Sequence, residues 1–442
     1  MSDYPNPEKI WITQSIDSLT AARKVALRNR SSSEVDPISN STAAIIADVR
    51  SRGDSAIIEM ASRFDHVELH SLEVPPAACH AALDTLDRGL IAAMERSVRN
   101  IESVQRAFLP APVEVSPEPG ILVGRRPDPL DRVGVYAPGG RAAYPSSVLM
   151  GAVPARVAGV REIILCSPPD SSGYPSKVVL AAAELAGVDR VFAIGGAGAI
   201  AAMAYGTGSV PRVDRIVGPG NAYVAEAKIQ VARVVPIDSP AGPSELLVIA
   251  DSSTDVDVVV REVLAQAEHD PRAMVVVVTI GEDVAQSIIQ GLIGALPSQQ
   301  RRDTIGQSLA QRGAVLWATD MDQAVALSNE FAPEHLLLAI SNASAFLPGF
   351  RNAGTIFVGG SSSVAFGDYM TGANHVLPTG GLARSYSGLS VLDFMRWTTY
   401  QVIDAEAAES LADDVAIFAQ AEGLPAHAAA AQQWASSPAG QS

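Results

Sequence analysis

Cysteine is scarce in this chain, positive charge is outnumbered, and no apolar run is long. The two cysteines, Cys79 and Cys166, show neither zinc-knuckle nor disulfide spacing and read as small buried hydrophobes in a reducing compartment. Against 48 Asp and Glu there are only 32 Lys and Arg, a formal charge of -16 and a pI near 4.9. Nucleic acid and anionic membranes need a basic face, so neither is expected as a main partner. The most apolar run, Ala273 to Ile280, falls far short of the ~20 residues of a membrane span and reads as a buried strand. The opening MSDYPNPEKIW has no charged n-region and no apolar h-region, so a cytoplasmic location is expected. What is present suits a large core: 442 residues, 48% hydrophobic and 18% charged, are enough for two or three ordered domains.

Residues 1 to about 110 read as mostly helical, with Ser41 and Thr42 as N-caps and Pro75 and Pro76 opening a long pattern to Phe108. From Gly120 the texture changes. Short β-branched runs such as RVGVY, EIILC, RVFAI, ELLVIAD, MVVVVTI, AVLWAT, LLLAI and TIFVGG alternate with Ala-rich helical patterns. That alternation predicts an α/β protein with mainly parallel, doubly covered sheets, as two units joined near residues 240 to 246. From about Leu389 the chain turns helical again and ends in SSPAGQS, which reads as disordered.

The residues that can carry chemistry cluster in the second half. Gln266 and His269 of LAQAEHD stand three apart near the end of a helix expected from about Asp255, so one face presents an amide and an imidazole. They form half of a possible metal site, or an ordinary hydrogen-bonded pair. His335, His375 and His427 each have a carboxylate or amide close by in sequence: Glu334, Asp368 with Asn374, and Glu422. Glu334 and His335 precede an apolar strand; adjacent strand residues face opposite ways, so the two share a pocket only if a turn carries them. Four glycine-rich turns, YAPGGR from Tyr136, AIGGAGAI from Ala193, IVGPGN from Ile216 and PAGPSE from Pro240, suit phosphate or dinucleotide binding. Gly196, Gly198 and Ala201 match the G-x-G-x-x-G/A spacing, with Asp214 near the acidic position.

Taken together, GVYAPGG, IVGPGNAYVAEAK, AGPSELLVIAD, LAQAEHDP, FAPEHL, GDYMTGANHVLPTGG, SGLSVLDF and EGLPAH occur in an order that resembles the histidinol dehydrogenase family. The resemblance runs from about residue 120 to 430. It implies a homodimer of two incomplete Rossmann-like domains with small helical N- and C-terminal elements exchanged between subunits, using Zn²⁺ and NAD. On this chain that assigns 1–25 to an N-terminal arm, 26–134 with 246–388 to one α/β domain holding metal and catalytic residues, 135–245 to a second on the NAD side, and 389–442 to a dimerisation segment.

The resemblance also implies roles. Gln266, His269, Asp368 and, from the partner subunit, His427 would be metal ligands. Glu334 and His335 would transfer protons. Ser244, His375 and Glu422 would hold substrate together with the metal ligands and His335, while Tyr136 and Asn221 would contact NAD. Where the family usually has a cofactor-contacting Gln, this chain has Gly198, a departure that removes an amide from the NAD site. The implied reaction is a four-electron, NAD-dependent oxidation of L-histidinol through an aldehyde to L-histidine. Relatives of the family oxidise other small alcohols, such as a sulfonated propanediol, on the same framework.

Overall fold

The computed structural model describes residues 10–30, 35–139 and 143–435. Gly140 and Arg141 of the first glycine-rich turn, the N-terminal MSDYPNPEK and the SSPAGQS end lie outside the described residues. Contacts divide the chain into two units, Met1–Phe108 with Leu130–Phe394, and Leu109–Pro129 with Met395–Ser442.

The strands are β1 (Ile12–Ser15), β2 (Glu73–Val74), β3 (Val113–Val115), β4 (Ile121–Pro129), β5 (Arg132–Tyr136), β6 (Glu162–Ser167), β7 (Arg190–Ala193), β8 (Arg215–Val217), β9 (Glu245–Ala250), β10 (Met274–Ile280), β11 (Gly313–Ala318), β12 (His335–Ala339), β13 (Thr355–Val358) and β14 (Met395–Ile403). The first unit holds two sheets. One has the order β1-β11-β10-β9-β12-β13, parallel throughout. The other has the order β2-β7-β6-β5-β8, parallel except for β2 at its edge. The second unit has an antiparallel sheet, β14-β4-β3, and the helices Ala405–Ala421 and Pro425–Gln432.

The six-stranded sheet shows why its strands are apolar end to end. Leu246, Val248 and Ala250 of β9 face one core with Val275 and Val277 of β10 and Leu337 of β12. Leu247 and Ile249, with Val276, Val278, Leu336 and Leu338, face the other. Both faces are roofed by helices, so every position of such a strand is interior and the period-2 alternation of a half-exposed strand disappears. The helix Val256–Ala267, N-capped by Asp255, buries Val259, Val260, Val263, Leu264 and Ala267 against the first core. The spacing is that of one helical stripe.

The described part of the first 110 residues is mostly helical, as expected, apart from β2 and a strand near its start. Ile12–Ser15 forms β1 and pairs in parallel with β11, from Ile12 opposite Ala314 to Ser15 opposite Trp317. A four-residue edge strand whose partner lies 300 residues away leaves no local pattern to read. No described helix is long and apolar enough to cross a membrane.

Candidate active site

Glu245 opens β9 in the middle of the six-stranded sheet, and His335 opens β12 beside it, in register with Leu246. A carboxylate heading an otherwise apolar strand needs partners. Glu245, 2% exposed, has them: Arg30 Nε and Nη2 donate to its two oxygens at 2.6 and 2.8 Å, and the Gly380 N–H donates at 2.9 Å. Its main chain serves the next residues in. The Glu245 N–H donates to Glu334 Oε2 at 2.7 Å, and its carbonyl accepts from His335 Nδ1 at 3.0 Å.

Glu334 precedes β12 instead of sitting within it, and the chain reaches it through Ala332 in a left-handed conformation with φ 52°. The turn lets both side chains enter one pocket, with Glu334 Oε2 at 3.5 Å from His335 Nδ1. A carbonyl only accepts, so His335 carries its proton on Nδ1 and, when neutral, its lone pair on Nε2. Nε2 is buried, has no hydrogen-bond partner, and lies 3.7 Å from Asp368 Oδ1. Burial disfavours a charged ring, but the neighbouring carboxylates of Glu334 and Asp368 prevail and push the His335 pKa up to about 10.

Asp368 lies on the short helix Val364–Tyr369, whose first N–H, that of Val364, donates to Glu262 Oε2 at 3.1 Å. The helix carrying Gln266 therefore also anchors the one carrying Asp368. Burial pushes the Asp368 carboxyl up, while the neighbouring His335 ring prevails and brings it below its ordinary value. His375 Nδ1 donates to the Asp368 carbonyl at 3.0 Å, which leaves Nε2 to accept from Ser147 Oγ at 3.4 Å. Burial depresses the His375 pKa against the pull of Asp368, so this ring is neutral.

These residues line a cavity of about 1900 Å³. It meets the amino ends of β9 and β12 and the carboxyl ends of β5, β7 and β8. In the five-stranded sheet the chain runs outward from β5 through β6 to β7 and returns to β8 on the other side of β5, so the cavity lies at a topological switch point, where α/β sheets take ligands. The described parts of all four glycine-rich turns reach it, through Gly139, Gly196, Gly220 and Gly242 among others. Tyr136, ending β5, accepts from the Gly196 N–H at 3.1 Å, and burial pushes its phenol up to about 12. Gly218 has φ 115°, and a Cβ there would lie 2.1 Å from the Tyr136 carbonyl oxygen, so only glycine permits the turn.

The cavity wall includes Tyr136, Asn221, Gly198, Ser244, His269, Glu334, His335, Asp368 and His375. Asn221 caps the helix Ala222–Val231, with Oδ1 accepting from Tyr223 and Val224 at 3.0 and 3.1 Å. Gln266 lies behind the wall, 4% exposed, in the last turn of its helix. That helix stops at Ala267, and His269 stands just beyond, its N–H donating to the Gln266 carbonyl at 3.3 Å. Glu422 and His427 are exposed residues of the second unit and do not line the cavity. The G-x-G-x-x-A match is realised differently from a dinucleotide fingerprint: Gly196, Gly198 and Ala201 all lie inside the helix Gly196–Tyr205. Asp214 holds the Arg132 N–H at 2.9 Å and is not on the cavity wall. At Gly198 a Cβ would meet Met60 Sδ at 3.3 Å, so a thioether crowds the place where a longer side chain would start.

For a metal, the first unit offers an amide, an imidazole and a carboxylate in Gln266, His269 and Asp368. Gln266 Nε2 has no hydrogen-bond partner among the described residues; an amide binds a cation through its oxygen, and a flip of this side chain would bring that oxygen to the unpartnered end. This donor set fits a borderline divalent cation. Among the described residues no three His, Cys, Asp or Glu side chains gather by themselves as a metal cluster.

Arg30 and Glu245 were not singled out by the sequence patterns. A Glu at the head of ELLVIA was the visible sign, since a lone carboxylate on a doubly covered strand requires a buried cation.

The histidinol dehydrogenase family model matches residues 28–434. A histidinol dehydrogenase of Methanosarcina mazei is 43% identical over 420 residues, 95% of this chain and 96% of that protein. One from Chlorobium chlorochromatii is 44% identical over 391 residues, 87% of this chain and 90% of that protein. The crystal structure of histidinol dehydrogenase from Elizabethkingia anophelis superposes with a TM-score of 0.92 at 32% identity, covering 96% of this chain and 98% of that one. With sequence and fold in agreement over nearly the whole length, the chain belongs to the histidinol dehydrogenase family.

Proposed function

We propose that this chain oxidises L-histidinol through L-histidinaldehyde to L-histidine, reducing two NAD and consuming one water, in the cytoplasmic last steps of histidine biosynthesis. The observation that carries the reading is His335, on the cavity wall: Nδ1 is pinned to the Glu245 carbonyl at 3.0 Å, and Nε2 has no hydrogen-bond partner among the described residues and lies 3.7 Å from Asp368 Oδ1. A general base needs a defined tautomer and a free lone pair aimed at the proton it takes.

In the first oxidation His335 Nε2 accepts the hydroxyl proton as the carbinol C–H pair leaves. The ring must begin neutral for this step. A Zn²⁺ held in part by Asp368 and the positive ring of NAD would both oppose a further cation in the cavity, lowering the His335 pKa from its value in the free protein. Glu334, held by the Glu245 N–H, then takes a proton from the water that adds to the aldehyde, and the hydrate loses the second C–H pair. The sum balances as alcohol plus water plus two NAD giving carboxylate, two NADH and three protons.

NAD supplies the acceptor for both electron pairs. The open turns ending β5, β7 and β8 bring main-chain N–H groups and helix N-termini to the cavity, which suits its phosphates; Tyr136 and Asn221, beside Gly198, would contact it. Zn²⁺ supplies a rigid hold on the substrate's nitrogens, a positioning role. Gln266, His269 and Asp368 would hold it, with His427 of the partner subunit as the fourth donor, and Ser244, His375 and Glu422 would complete the substrate contacts.

The homodimer and the shared site are part of this proposal. So is the domain division, with the metal side on 26–134 and 246–388, the NAD side on 135–245, an arm over 1–25 and a dimerisation segment over 389–442. In the second unit Val415 and Phe418, three residues apart on one helix, are 44 and 70% exposed, a face that a second copy would cover.

Steady-state assay tests the reading directly: two NADH per L-histidinol support it. One NADH, or no turnover while a sulfonated propanediol reacts, refutes it.

A further inference from the structure

We propose that Arg30 is a positioning residue for the Glu334 and His335 pair, holding both walls of the cleft in which that pair sits. The inference rests on the acid–base reading above and adds a residue from outside the cavity's chemistry. Arg30 is 6% exposed, and its guanidinium uses every edge. Nε and Nη2 grip the Glu245 carboxylate at the head of β9, at 2.6 and 2.8 Å. Nη1 donates to the carbonyls of Leu27 at 2.9 Å and Phe331 at 3.0 Å, and Nη2 reaches the Ala332 carbonyl at 3.4 Å. Its plane lies over the Phe331 ring at 3.7 Å.

Phe331 and Ala332 are the residues from which the chain turns into Glu334 and His335. One side chain therefore fixes the main chain of Glu245, whose N–H and carbonyl orient the Glu334 carboxylate and the His335 ring, and the left-handed turn that presents them. Glu245 Oε1 also accepts from Gly380, which extends the clamp to the loop bearing His375. A lysine has one donor point and no plane, so it can satisfy the carboxylate or the carbonyls but not both.

The test uses the full chain with Zn²⁺ and NAD, and the variants Arg30→Lys and Glu245→Gln. Both are expected to lower kcat roughly 10- to 100-fold while KM for histidinol moves less than about threefold, because a misoriented base slows chemistry without removing substrate contacts. Arg30→Lys is expected to retain more activity than Arg30→Gln. In ¹⁵N-histidine spectra the His335 Nδ1–H resonance, identified by its loss in His335→Asn, is expected in the parent protein and absent or tautomerically mixed in the variants. The inference is overturned if either folded variant keeps kcat within about twofold and differs only in Tm, or if the parent ring is already a tautomer mixture. Should a variant not fold, the other variant and the parent spectrum decide. Failure of the parent protein to oxidise histidinol would sink the acid–base reading while leaving the spectral comparison to decide the clamp.

Discussion

Replacing His335 with Asn removes the proposed base and little else. The Asn amide nitrogen can occupy nearly the position of Nδ1 and keep the donation to the Glu245 carbonyl, now 3.0 Å long. What disappears is Nε2, the unpartnered nitrogen 3.7 Å from Asp368 Oδ1. General-base catalysis is worth about 10²- to 10⁴-fold, or roughly 3 to 5 kcal/mol of transition-state stabilisation at 1.36 kcal/mol per decade. Loss of ring packing, and of a cation beside Glu334 and Asp368, lowers stability in the metal-free protein, so Tm and NAD binding are measured alongside the kinetics to show that the variant folds. The assay is kcat and KM for histidinol at several pH values, with NAD affinity measured separately. The deficit should fall on kcat and shrink as pH rises, since hydroxide increasingly replaces the missing base. A folded His335→Asn enzyme with kcat within about threefold of the parent, or with the loss confined to KM, would refute the assignment.

The same ring makes the metal-free, substrate-free protein pH-sensitive. Its pKa is raised from 6.5 to about 10 in the folded state, so its stabilising contribution is whole below about pH 6.5 and fades as pH climbs through 10. Melting temperature should decline over that window in the parent and less in His335→Asn. Burial pushes the Cys79 thiol up to about 11 and Cys166 further, so neither should react with a disulfide reagent at pH 8 until the protein is unfolded, when both should titrate. Gly218→Ala forces a Cβ to within 2.1 Å of the Tyr136 carbonyl oxygen; a stability loss of about 2 kcal/mol or more, with at least a tenfold rise in KM for NAD, is expected by thermal melting and kinetics.

Several features were written in the chain itself. The buried strands were legible because both cores demand apolar residues at every position, as in Met274–Ile280, and the helix from Asp255 because its cap and stripe are local. The motifs bearing Gln266, His269, Glu334, His335 and Asp368 were readable as chemistry because their residue types have few other uses together. Tertiary structure decided how they meet. That Glu334 and His335 share a pocket depends on the left-handed Ala332, which no side-chain pattern announces. The G-x-G-x-x-A spacing fell inside a helix on the cavity wall, and Asp214 went to the Arg132 main-chain N–H, off that wall. The tautomer of His335 follows from a carbonyl 90 residues away. Above all, Arg30 and Glu245, 215 residues apart, become partners only when the helix Ala21–Arg28 packs its Leu27 into one core of the six-stranded sheet. A sequence specifies which groups must be buried; only the fold determines which opposite charge and which main-chain atoms are there to receive them.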